Sequence, residues 1–205
     1  MENSPLISLP LDWSGDNPGI YLKDAADGPY RTLMVWFRIA VSRHGVGHAV
    51  VLFEDPTRAA AWPDVANLCL TDNVPLAQDL VARFCTKFGV FQKAAAFDAL
   101  RYVALDGHEA SGDNVRSSRV VARGSGIELD LAWNDLGTPF AADVPPTLSA
   151  TGQHRMLSVF VESRDASITV NGRRLPGRPF PRPFLGRTMS SAFLAFSESW
   201  LRDKA

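Results

Sequence analysis

The sequence is poor in several things that would have narrowed its chemistry. Of its 205 residues only two are cysteine, Cys69 and Cys85, and neither belongs to a C-x-x-C pair. That argues against a disulfide-stapled scaffold and a cysteine zinc ribbon; isolated cysteines in apolar surroundings are expected to be buried, reduced thiols. Charge of one sign is missing: 21 basic and 22 acidic residues leave a formal net charge of -1, which speaks against nucleic acid or an anionic membrane as the main partner. No apolar run approaches the roughly 20 residues that span a bilayer. The opening residues carry Glu2, Pro5 and Pro10 and lack the basic-then-apolar order of a secretion signal. A soluble cytoplasmic protein is therefore expected.

Motifs are scarce as well. There is no G-x-S-x-G and no internal repeat, and the Gly45-Val46-Gly47 step lacks the strand-to-helix setting that cradles phosphate. His44 and His48 stand four apart, but the glycines between them disfavour the helix that would align two metal ligands. The four histidines are scattered, so no metal and no cofactor are expected. Lysine is rare: Lys23, Lys87, Lys93 and Lys204 are the four amines available for titratable chemistry.

What is present is β-strand character divided by frequent turns. Apolar and alternating runs cover residues 32–42, 48–53, 67–71, 100–105, 119–123, 127–133, 155–163, 167–170 and 191–197, punctuated by Gly28-Pro29, Asp106-Gly107, Asn171-Gly172 and similar pairs. Residues 73–84 read as a helix: Asn73 caps it, a proline occupies the first turn, and Leu76, Leu80 and Phe84 form one apolar stripe. Residues 57–66 and 197–204 are candidates for short additional helices. The expected fold is one mostly-β (α+β) domain over residues 1–205, an antiparallel β-barrel or sandwich of about ten strands with one or two short helices.

Two clusters bear on function. Six arginines, Arg164, Arg173, Arg174, Arg178, Arg182 and Arg187, fall close together near the end of the chain; they suit either a solvated face or an acidic partner. Lys87 and Lys93 bracket the apolar segment Phe88–Gln92. A lysine held dry among apolar groups loses its proton more easily and can form a Schiff base with a carbonyl. The alternative is that each amine reaches water while its stem packs.

The order of segments resembles the acetoacetate decarboxylase-like superfamily. Gly28-Pro29-Tyr30 before a long strand, Leu68–Asn73 leading into a helix that ends near Arg83, and the Lys87–Lys93 segment look like successive pieces of that family's pattern, and residues 119–133 and 155–172 look like its later strand pairs. The resemblance implies a β-barrel with a lysine in an apolar interior, a small keto acid as ligand, and a homo-oligomer. It implies Lys93 or Lys87 as nucleophile, with Gln92, Phe91, Arg83, Tyr30, Trp36 and Glu54 around the substrate. The family's adjacent lysine pair is absent, since Gln92-Lys93 or, with the gap placed otherwise, Thr86-Lys87 stands in its place, and Thr32 replaces the family's strand acid. The expected function is a keto-acid-like small-molecule pocket, with Schiff-base lyase chemistry weakened by that incomplete set. Alternatives are a non-catalytic barrel enclosing an apolar ligand between Trp36, Phe53, Phe91 and Trp133, and an oligomeric interaction protein.

Overall fold

A computed structural model describes residues 9–202. The first eight residues, on which part of the signal-sequence reading rests, and Lys204 lie outside the described residues. In chain order the strands are β1 (Leu11–Asp16), β2 (Gly19–Lys23), β3 (Tyr30–Ser42), β4 (Gly47–Phe53) and β5 (Asn67–Thr71). The helix α1 (Val74–Arg83) follows, then short helical turns at Cys85–Lys87 and Ala95–Ala99. The remaining strands are β6 (Arg101–Ala104), β7 (Gly107–Gly112), β8 (Ser117–Gly124), β9 (Ile127–Leu136), β10 (Phe140–Val144), β11 (His154–Val170), β12 (Arg173–Arg174), β13 (Pro181–Phe184), β14 (Arg187–Ser190) and β15 (Ala192–Arg202).

Thirteen of these strands form one mixed sheet with the path β6-β5-β4-β3-β1-β15-β11-β9-β8-β7, and β13 and β14 form a separate ribbon. Neighbours are antiparallel except β5 and β6. β1 and β2 lie end to end between β3 and β15, interrupted at Asn17-Pro18. Along β3 both faces of the sheet are buried, as its alternation shows. Leu33, Val35, Phe37 and Ile39 point into one core, and Met34 and Trp36 into the other. The first core is covered by α1 and the turns that follow it; Asn73 caps α1 by accepting the Leu76 N–H at 3.1 Å. The second is enclosed by β2–β5 on one side and β8, β9, β11 and β15 on the other.

The far parts of the sheet meet around this second core. Leu105 N–H donates to Thr71 O at 2.9 Å, and Asp106 N–H donates to Arg123 O at 2.8 Å. Gly124 backs onto the same corner; a Cβ there would lie 2.0 Å from Ala104 O, so only glycine fits.

The mostly-β architecture agrees with the sequence reading, and α1 matches the expected helix. Two expectations are corrected. Residues 197–202 extend strand β15 and are not helical, because pairing with β1 and β11 satisfies their backbone. Residues 57–66 form turns with no helix. Both cysteines are buried and free, as expected. Among the described residues no helix is long and apolar enough to cross a membrane.

Candidate active site

The site is built around a fault in a strand. Between Leu157 and Val159 on β11, the partner β15 moves from Ser199 to Phe196, so two β15 residues oppose one. Ser197 absorbs the extra residue with a φ of 52°, and its N–H is held by Asp16 Oδ1 at 3.0 Å. A bulge of this kind reverses the in-out phase of the strand beyond it. Phe193 and Ala195 point into the first core, and after the bulge the residues on that side are Glu198 and Trp200. A carboxylate is thereby turned inward, with only 3% of its residue surface exposed.

Two neighbours hold it. Asn17, at the interruption between β1 and β2, donates its side-chain N–H to Glu198 Oε1 at 3.0 Å. Trp200 Nε1 donates to the same oxygen at 2.7 Å. Burial pushes the Glu198 carboxyl up to about 7, while hydrogen bonds from Asn17, Trp200 and Ser158 pull the other way. Asn17 Oδ1 is buried and has no hydrogen-bond partner.

These groups face a cavity of about 390 Å³, a size that suits a small organic ligand. Phe88, Met156, Phe160, Phe193 and Trp200 supply apolar wall, and Tyr21 joins them. Leu148 and Leu185, exposed at 74% and 41%, stand where the cavity reaches the surface. The Tyr21 ring is buried and its hydroxyl has no hydrogen-bond partner among the described residues. Burial holds that hydroxyl protonated to higher pH than an ordinary tyrosine, with the Arg182 charge pulling back and the Glu198 charge adding to the rise.

Arg182 is the remaining polar group. It comes from the β13–β14 ribbon, whose turn residues Leu185 and Gly186 both have positive φ, as the twist of a tight hairpin requires. Its guanidinium lies 4.8 Å from the Phe184 ring centre, 5.5 Å from that of Tyr21 and 5.7 Å from that of Phe193. Its Nε is buried without a partner, and among the described residues no carboxylate pairs with it.

The residues expected from the sequence are elsewhere. Lys87 and Lys93 are both exposed, and neither lines the cavity. The dry amine expected from their apolar neighbours is corrected: Phe88 and Phe91 bury themselves, and the lysines take the outer side of the turns, Lys93 with a φ of 69°. Gln92 is exposed and donates its side-chain N–H to Lys87 O. Phe91 is buried in the first core behind Tyr21, and Tyr30 packs edge-on against Tyr21, so both support the cavity without lining it. Arg83 is occupied by Asp12 and Asp79. Trp36 belongs to the opposite core, stacked on His48. The interior ligand site imagined between Trp36, Phe53, Phe91 and Trp133 is also corrected, because these four divide between the two packed cores.

Glu54 serves the scaffold. It receives Arg173 through two hydrogen bonds, at 2.7 and 2.9 Å, and accepts the Ala66 N–H at 3.0 Å. Burial would raise its carboxyl, but these bonds outweigh it and hold it below the usual range. Much of the arginine cluster is likewise engaged within the molecule. Arg164 pairs with Glu162 and Asp135, and Arg187 covers the Phe140 ring at 3.9 Å. Comparison with protein-family models, curated proteins and solved structures finds no match.

None of the site residues named from the sequence lines the cavity, although Phe88, Gly89 and Val90, which lie between the two lysines, do. Sequence reasoning missed Glu198, Asn17 and Tyr21. The available signal was an acid two residues before a tryptophan, just after the apolar run 192–196.

Proposed function

We propose that this chain binds a small organic acid with an apolar or aromatic body in the cavity beneath the β13–β14 ribbon. The observation that carries the reading is Arg182, a guanidinium with no acidic partner among the described residues, poised on aromatic rings over an apolar cavity. A carboxylate entering there gains a charge-assisted contact and satisfies the orphaned Nε. The ligand's body fits the aromatic wall, and the Glu198–Asn17 pair offers hydrogen bonds to a second polar group. A cationic ligand is disfavoured, because Arg182 already occupies those ring faces.

This ligand class agrees with the small keto acid that the acetoacetate decarboxylase-like resemblance implies. The joining of the sheet's far parts at Leu105 and Asp106 supports a barrel-like closure of the same scaffold. Schiff-base chemistry is not part of the proposal, since none of the three described lysines lines the cavity. Calorimetric titration with phenylpyruvate, and with phenylacetamide as the neutral control, tests it. Binding of the acid that weakens about tenfold or more in Arg182→Ala, with the amide little affected, is expected. Absence of acid binding, or affinity indifferent to that substitution in a folded variant, would overturn the reading.

A further inference from the structure

We propose that the cavity also catalyses proton transfer at the carbon beside the carbonyl of a small 2-keto acid, with Glu198 as the base and Tyr21 as hydrogen-bond donor to the developing enolate. The inference rests on the acid-binding reading of the cavity and adds a reaction to it. Three features of the site support it independently of any one residue type.

The first is the aim of the carboxylate. The Ser197 bulge turns Glu198 into the cavity, and both of its close donors converge on Oε1. Oε2 is left free of those two donors. The second is the donor inventory. Tyr21 lines the same cavity, and its hydroxyl is unengaged among the described residues. The Arg182 guanidinium lies 5.5 Å from the Tyr21 ring centre, and Glu198 lines the same cavity. The third is the orphaned, buried Asn17 Oδ1, an acceptor that the keto form leaves unpaired and the O–H of the enol form suits.

The step is balanced without a co-reactant. The Glu198 carboxylate takes a proton from the carbon next to the carbonyl. The electrons of that C–H bond form the C=C bond, and the carbonyl π pair moves onto oxygen. The enolate oxygen accepts a hydrogen bond from the Tyr21 hydroxyl, which keeps its proton, while Arg182 holds the carboxylate and lowers the cost of the added negative charge. Return of a proton to carbon regenerates the keto form; return to oxygen gives the enol. The groups that act on Glu198 are Asn17 and Asp16 from the β1 end, Ser158 from β11 and Trp200 from β15, while Tyr21 from β2 and Arg182 from β13 line the same cavity. With its carboxyl lifted to about 7, Glu198 is a stronger base than an exposed glutamate, and both protonation states are present near neutral pH.

The test is deuterium incorporation into phenylpyruvate in D₂O, followed by proton NMR with the protein-free rate subtracted. The intact chain is expected to accelerate exchange on the order of a hundredfold. Glu198→Gln should abolish the acceleration. Tyr21→Phe should lower it about tenfold while phenylpyruvate still binds. The accelerated rate should rise with pH through about 7 and then level, a dependence a structural role would not produce. Binding with exchange at the solution rate would overturn the catalytic inference and leave the acid-binding reading standing. Full exchange in folded Glu198→Gln would also overturn it, and no binding at all would remove both.

Discussion

Trp200 donates its indole N–H to Glu198, two residues earlier on the same strand, at 2.7 Å. Two residues apart on a strand, both side chains lie on one face, and the Ser197 bulge turns that face inward, so a single strand supplies the acid, its donor and part of the aromatic wall. The energetic consequence is a proton that the fold retains. Burial places the carboxyl at about 7, whereas in the unfolded chain it titrates near ~4.3.

A raised acid favours the fold in its protonated form. Its contribution is complete below the unfolded value and is lost as pH rises through the folded one, at roughly 1.4 kcal/mol per pH unit. Urea unfolding at pH 5 and pH 8, comparing the native chain with Glu198→Gln, isolates this group. The variant should gain roughly 2–3 kcal/mol relative to the native chain across that interval. A difference that stays constant with pH would show that Glu198 titrates normally.

Ser197 carries the left-handed backbone that re-phases β15. That conformation costs a residue with a Cβ about 1–2 kcal/mol. Ser197→Gly should be neutral or stabilising, whereas Ser197→Val should destabilise by about 1–2 kcal/mol and turn Glu198 away from the cavity. Thermal unfolding reports the first effect. Loss of the pH-dependent stability assigned to Glu198 reports the second.

Asp12 joins three basic side chains from distant parts of the chain. Its Oδ2 contacts His154 Nε2 at 2.6 Å and also meets Arg83, while Arg202 takes Oδ1. Burial would raise this carboxyl, but the bonds to His154, Arg202 and Arg83 outweigh it and keep it ionised. Asp12→Ala leaves those groups without their common acceptor. A loss of roughly 2–4 kcal/mol in denaturant unfolding is expected, and a loss under 1 kcal/mol would mean the cluster is merely decorative.

Gly124 tests how the sheet's far parts meet. A methyl group there would collide with Ala104 O and with the Asp106 N–H that bonds Arg123. Gly124→Ala should cost about 2 kcal/mol or more, because backbone is the obstacle. The contrasting change is Gly126→Asn, at a left-handed turn position with open space around it, which should be nearly neutral. Equal effects at the two positions would contradict the close approach.

The strands most legible in the sequence were those with a strict period. β9 alternates buried and partly exposed residues as its letters suggest, and the Leu76–Leu80 stripe marks the covered face of α1. The β1 and β2 strands were not legible, because the Gly, Asn and Pro at their junction look like a loop until β3 and β15 pair with them. The site failed for a related reason. An in-out pattern can be read only while the register is constant, and Ser197 breaks it where the cross-strand partner, 40 residues earlier, decides the phase. The lysines follow the second of the two readings their apolar neighbours allow: Phe88 and Phe91 use the interior and leave the amines outside.

The bond between Asn17 and Glu198 closes a span of 181 residues. A pocket whose two halves lie that far apart has almost no local contacts to nucleate it, and the entropy of so long a closure must be overcome before any of its groups converge. During synthesis the cavity can take shape only once β15 has left the ribosome. Ligand binding is thus a report on completed assembly, sensitive to any lesion that keeps the first strands from meeting the last.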